Sequence, residues 1–591
     1  MKFKRLLICA ILASSLLLTS CGEEKKAQND KSSPAYTGEV GETVLDINDS
    51  FDGTVSDIFS KKDLDTEFSE KSSVSVKFEG DKAVASSKAV SISGSTVKIT
   101  SEGTYILYGQ SSDGKVIIDA PSDAKVTLVL NGLTLTSTDF APIYAKDCDK
   151  LFILIADKTE NTLKNVGCFT KIDENNVDAV IFSKQDLTLK GNGSLSVTTS
   201  AGAGIVSKDE LKITGGNIMI SATTHGIDAN DLIAITSAVL DITAVKDGIH
   251  AENNDNTELG NLYVVNTTAT ISAGGDGLSS SASLFIESGT YDIVTGGGYE
   301  NGKSHESNNM PGGPGGPGGA GGRPRTTTEE SSVSSKAIKA AATLSIKGGS
   351  FKLDASDDAI HSDNAVLITD GTLEISSGDD ALHADSDVAI RGGIINISNS
   401  YEGIEATNVE ISGGDITVKS TDDGINASGG NDESGFGGGR PGQDHFSSNS
   451  TGSVTFTGGT TYINAGGDGI DANGTLKMTG GVLTICGPTQ GDTSVLDFDK
   501  IAEISGGVFV GTGSMMMAQT FTSSSQGVVS LNIGSAAADT KVTLTDKDGN
   551  VIISFSPAQS FNIVIISTPD MIKGESYTIK VGDQSGSFVA N

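Results

Sequence analysis

One phrase recurs about every 22 residues through most of this chain, and a period of that size leaves few folds open. In most copies an acidic residue precedes Gly or Ala, then Ile or Leu, a polar residue, and Ala or Ser. Copies run from His225-Gly226-Ile227-Asp228-Ala229 and Asp247-Gly248-Ile249-His250-Ala251 through Asp358-Ala359-Ile360-His361-Ser362 to Asp468-Gly469-Ile470-Asp471-Ala472. The Gly or Ala positions 226 and 248, then 337, 359, 381, 403 and 424, step by 22 with one step of 21. Each step advances one structural unit, and units that stack only on their neighbours make a solenoid.

Between phrases run two short alternating stretches joined by a Gly-Gly or Asp-Gly turn, as in Leu344-Ser345-Ile346-Lys347-Gly348-Gly349-Ser350-Phe351-Lys352-Leu353. Period-two alternation rich in Ile, Val and Leu predicts half-buried strands. Two such strands plus the Gly-Ile-x-Ala segment give three strands per coil, and the expected fold is an all-β parallel β-helix over residues 76–510. Two irregular steps mark insertions near 296–332, which contains Met310-Pro311-Gly312-Gly313-Pro314, and 429–452, which contains Gly435-Phe436-Gly437-Gly438-Gly439. Neither has apolar periodicity, so neither builds core. Residues 511–591 change texture, with a turn at Asp546-Lys547-Asp548-Gly549-Asn550 between alternating runs, and predict a small antiparallel cap. Residues from about 85 to 145 are expected to close the other end.

Residues 1–20 read as a signal peptide: Met1-Lys2-Phe3-Lys4-Arg5 is positive and Leu6 to Leu18 apolar. Leu18-Thr19-Ser20-Cys21 resembles the lipobox of bacterial lipoproteins, which makes Cys21 the lipidated residue and places the protein on the extracellular face of a bacterial cell membrane, held by its lipid anchor only. An ordinary cleaved signal peptide is the alternative. Charged and polar residues 21–75 then read as a tether. The net charge of −34, with 75 acidic against 41 basic residues, argues against nucleic-acid binding, which needs Lys and Arg on phosphates. Cys148, Cys168 and Cys486 are too few and odd in number for a disulfide framework.

Equivalent positions of successive coils stack about 4.8 Å apart. Asp358, Asp380, Glu402 and Asp423 would then form a carboxylate ladder. Unit charges at that spacing repel by roughly 1 kcal/mol in water and about 3.5 kcal/mol at an effective dielectric of 20, so a cation is expected among them. Calcium, which takes carboxylate and carbonyl oxygens, is the leading candidate. Doubled acids at Asp357-Asp358, Asp379-Asp380 and Asp422-Asp423, with Asp363 and Asp385 downstream, make 357–385 the first choice for it. An Asp before Gly also shapes turns through its side-chain oxygen, without any metal. His250, His361 and His383 share one column and read as stacked, solvated rings, with transition-metal binding as the alternative.

Upstream, Glu102-Gly103-Thr104-Tyr105-Ile106-Leu107-Tyr108-Gly109, Val126-Thr127-Leu128-Val129-Leu130-Asn131-Gly132 and Asn161-Thr162-Leu163 lead into the repeats. Together with the acidic phrases and the Gly-Gly-Pro loop, this series resembles a bacterial carbohydrate-binding domain family, formerly a domain of unknown function, typified by a clostridial cell-surface protein. The resemblance spans roughly residues 75 to 590. It implies a right-handed parallel β-helix shaped like pectate lyases, with bound calcium, attaching to plant cell-wall polysaccharides, including acidic ones such as polygalacturonate and possibly cellulose, without demonstrated cleavage. The carry-over is limited to acidic phrases between 357 and 426, and the coil at Lys336 departs from the pattern.

Three functions remain open: a calcium-containing polysaccharide binder, a calcium-dependent polysaccharide (pectate) lyase on the same fold, and a structural adhesin or spacer. The absence of tryptophan argues against a flat aromatic platform for crystalline cellulose. A lyase needs a basic group to take the proton next to a uronate carboxylate, and Arg391, Lys336 and Lys339 are the candidates.

Overall fold

The computed structural model describes residues 45–48, 50–51, 55–303, 334–428, 452–488 and 493–591. The signal peptide, Cys21 and nearly all of both Gly-rich insertions lie outside them.

The period becomes a parallel β-helix. One coil consists of Ile360–Ser362, Ala365–Ile368 and Thr372–Ser377. Each strand pairs in parallel with its counterparts one coil away, so three sheets run along the solenoid. The first sheet carries the Gly/Ala-Ile-x-Ala phrase, with its Ile and Ala buried: Ile338, Ile360, Leu382 and Ile404 are wholly inaccessible. The turn from the second sheet to the third requires glycine, because Gly349, Gly371 and Gly393 sit at φ of 120°, 122° and 92°. Coil register passes directly from Leu278 to Ile338 and from Thr295 to Ala355, so the insertion that follows Thr295 leaves the stack undisturbed.

The ends close with antiparallel pairs. Val508–Gly513 pairs with Phe561–Ser567, which pairs with Val528–Ala536, and a separate four-stranded sheet follows. At the other end closure comes earlier than residues 85–145. Val74–Glu79 pairs with Ala83–Ala85 and Val90–Ser93 with Thr96–Ile99, while Thr96–Ile99 already pairs in parallel with Lys115–Asp119 as coil. These first coils lack the acidic phrase.

Part of the expected tether is a strap instead. Leu45 and Ile47 pack on Leu367 and Ala389, Phe51, Ile58 and Phe59 on Tyr263 and Phe285, and Phe68 beside Ile106 and Leu154. The segment thus runs along the outer face of the second sheet, against the direction of winding. Asp63 locks it in place. Its carboxylate meets Lys150 Nζ at 3.0 Å, accepts from Thr188 at 2.7 Å and completes a capping box with Ser60. The strap left no mark of its own in the sequence, and what could have pointed to a cover were the unbroken apolar runs Leu284-Phe285-Ile286 and Val366-Leu367-Ile368, a pattern typical of strands buried on both faces.

Candidate functional site

On the first sheet the polar residue of each phrase points outward, forming the ladder Asp228, His250, Ser279, Lys339, His361, His383, Glu405, Asn426 and Asp471. The residues preceding Gly or Ala form a second ladder beside it, and here the carboxylates help join the coils. The Asp276 amide donates to Asp247 at 2.8 Å, the Lys336 amide to Asp276 at 2.8 Å, the Asp380 amide to Asp358 at 3.1 Å, the Glu402 amide to Asp380 at 3.2 Å and the Asp468 amide to Asp423 at 2.6 Å. One oxygen of most repeated acids therefore holds the next coil. The other oxygen meets different partners along the axis.

In the central section Lys336 is that partner. Its side chain is inaccessible to solvent, with Nζ 3.2 Å from Asp357 and 2.9 Å from Asp358. Burial pushes the Asp358 carboxyl up, but Lys336 and His361 outweigh it and hold it well below the usual carboxylate range. Burial and the charges of Asp358 and Asp357 push Asp379 up to about 7. Burial, with Glu405 next to it, drives Asp380 well above its ordinary range.

His361 and His383 stack at 4.9 Å between ring centroids, as their shared column requires, but they are buried rather than solvated. His361 faces Asp358 at 2.8 Å and Asp363 at 2.9 Å; His383 faces Glu405 at 2.9 Å, Asp380 at 3.2 Å and Asp385 at 3.5 Å. Acids on both sides of each ring make burial tolerable. Burial works against a charged His383, yet these three carboxylates raise its pKa well above the ordinary value.

At Glu402 and along the coils that follow, the partners differ. Glu402 accepts from Asn426 at 3.0 Å through one oxygen, and the other is buried with no hydrogen-bond partner among the described residues. Donor oxygens of Asp423, Asp468 and Asp471 lie within 4.8 Å of one another. Neither Asp423 nor Asp468 has a basic partner among the described residues. Burial, then Asp422 and Asp468, pushes Asp423 well up; burial and Asp497 push Asp468 up to about 6. Asp468 and Glu405 were outside the expected site set, although adding one coil to Asp423 or His383 reaches them.

The three basic candidates fare differently. Arg391 is drawn to the strap, where Nη2 donates to the Leu45 carbonyl at 2.8 Å. Lys336 is consumed by its two aspartates. Lys339 is half-buried in the outward ladder, where it offsets part of the upward push of burial on Asp276. The two insertions attach at opposite edges of this sheet. The first leaves after the third-sheet strand Gly289–Thr295 and returns before the first-sheet strand Ile338–Ala340; the second leaves after the first-sheet strand Ile425–Ala427 and returns before the second-sheet strand Ser453–Phe456.

Fold and site together define a β-solenoid with one strapped sheet and one acidic sheet between two insertions. The chain belongs to the family of carbohydrate-binding domain-containing proteins, whose family model matches residues 93–381 and 380–554. A curated relative of that description from Acetivibrio thermocellus is 31% identical over 300 residues, 50% of this chain and 93% of the relative. A solved structure described as the polysaccharide lyase-like protein from C. thermocellum, a gadolinium derivative, is 34% identical, covers 38% of this chain and 92% of its own, and gives a TM-score of 0.36.

Proposed function

We propose that this chain is a cell-surface, lipid-anchored binder of acidic plant cell-wall polysaccharides that attaches through calcium on the outer face of the first sheet. The observation that carries the reading is the carboxylate set Asp423, Asp468 and Asp471, half-buried and, for the first two, with no basic partner among the described residues. An oxygen-only donor set of this kind fits calcium. Asp422 and Glu402 lie alongside as further oxygens. When bound there, the ion would supply the positive charge that lets a −34 chain hold a uronate polymer. The set Asp357, Asp358, Asp379 and Asp380 fits less well, because the Lys336 ammonium occupies the space between two of its members. The strap supports the choice of face, since it covers the second sheet and leaves the first between the insertions. Surface attachment rests on the Cys21 lipobox.

Co-sedimentation of the full chain with polygalacturonate, with and without calcium, tests this directly. Calcium-dependent pelleting without ultraviolet absorbance from unsaturated products is the expected result. Pelleting that ignores calcium, or none, would overturn it, and new absorbance would favour a lyase with Lys339 as its basic group.

A further inference from the structure

We propose that His225, Asp247 and His250 form a second metal site, for a divalent first-row transition ion such as zinc, independent of any calcium at the far end of the ladder. The two rings stack with centroids 4.5 Å apart and planes 13° apart. His225 Nδ1 lies 3.3 Å and His250 Nε2 3.8 Å from the same oxygen, Asp247 Oδ2. Two imidazole nitrogens and a carboxylate oxygen thus converge within 4.8 Å. Tetrahedral zinc, with ligand bonds of about 2.0–2.1 Å, sets donors about 3.3 Å apart, so small side-chain rotations complete the set.

The groups behind these donors are also in place. His250 Nδ1 lies 3.1 Å from Asp228 Oδ1, the pairing that leaves Nε2 free to ligate. Asp228 in turn faces Lys208 at 3.7 Å. Asp247 Oδ1 accepts from the Asp276 amide at 2.8 Å, which turns Oδ2 toward the rings. His225 Nδ1 is buried and makes no hydrogen bond of good geometry among the described residues.

The other stacked pair sharpens the contrast. At His361 both ring nitrogens meet carboxylates within 2.9 Å, whereas His250 Nε2 has Asp247 at 3.8 Å and Glu252 at 3.9 Å, and Lys336 already sits 2.9 Å from Asp358. That cluster carries its own cation and would repel a second. At 225–250 the Lys208 ion pair is with the outer carboxylate Asp228, and the side chains of His225 and Asp247 retain 20% and 16% exposure, which leaves a route for an ion and for a water as its fourth ligand. Two nitrogens among three donors select zinc or cobalt over calcium.

The test is titration of cobalt(II) into the full chain with calcium in excess, so that oxygen-only sites are already filled. One saturable equivalent with a visible d–d band, displaced by zinc, is expected. His225→Gln and His250→Gln should each weaken cobalt binding by about 100-fold, and Asp228→Asn by about 10-fold, as loss of an orienting carboxylate does. His361→Gln should leave binding unchanged. X-ray absorption of the zinc-loaded wild-type chain needs no variant, and should show imidazole nitrogens at about 2.0 Å. Absence of a saturable equivalent, an oxygen-only shell, or full affinity in His225→Gln would overturn the site.

Discussion

Lys336 sets the charge pattern of the first sheet, because it stands where a regular repeat would put another acid. Its ammonium, buried between Asp357 and Asp358, supplies the cation that the stacked carboxylates require. Replacing it by Met should destabilise the fold by about 3–5 kcal/mol near neutrality, since two buried carboxylates lose their partner. Melting followed by circular dichroism at two pH values checks this: the loss should shrink at pH 5, because without Lys336 the upward push of burial on Asp358 loses its main opponent, and an equal loss at both would contradict it. Asp468, raised to about 6, and Asp379, raised to about 7, give a second pH forecast. A carboxyl raised in the fold contributes stability that is fully present below its unfolded value of about 4 and lost as pH rises through the folded value. The calcium-free chain should therefore melt higher at pH 5 than at pH 7.5. Asp63, where Ser60, Thr188 and Lys150 outweigh the upward push of burial and lower it to about 2, loses its contribution only as pH falls through that value, outside this window. Calorimetry with a chelator present reads the difference, and a lower melting temperature at pH 5 would count against the uncompensated ladder.

Among elements, the coil was legible and the strap was not. The phrase has a fixed period and the strand alternation is local, so register followed by counting: His361 and His383 share a column because they lie 22 residues apart. The strap has neither signal. Leu45, Phe51 and Phe59 are scattered through a polar stretch, and their meaning depends on outward positions such as Tyr263 and Phe285, more than 200 residues away. For the same reason the sequence showed Lys336 breaking the pattern but not where its ammonium points. A chain starting at residue 69 should expose that apolar strip and aggregate or bind a hydrophobic dye, whereas one starting at residue 45 should stay monomeric. Light scattering distinguishes them, and equal behaviour would mean the strap is dispensable. Deleting residues 304–333 should leave the melting temperature within a few degrees, because Leu278 and Ile338 pair directly across the gap and a shorter loop closes at little entropic cost.

At the scale of the whole molecule the three sheets differ in what covers them. The strap closes the second, the third alternates buried and exposed residues, and the first carries the acids between two insertions. Its middle section is balanced internally by Lys336 and two histidines, while Asp423 and Asp468 have no basic partner among the described residues. That asymmetry is the central claim, and affinity electrophoresis through gels containing polygalacturonate tests it. With calcium, the wild-type chain should be retarded and Asp423→Asn/Asp468→Asn should run as though no polymer were present, while Asp379→Asn keeps most of the retardation. Undiminished retardation of the double variant, or retardation that survives chelation, would contradict the account.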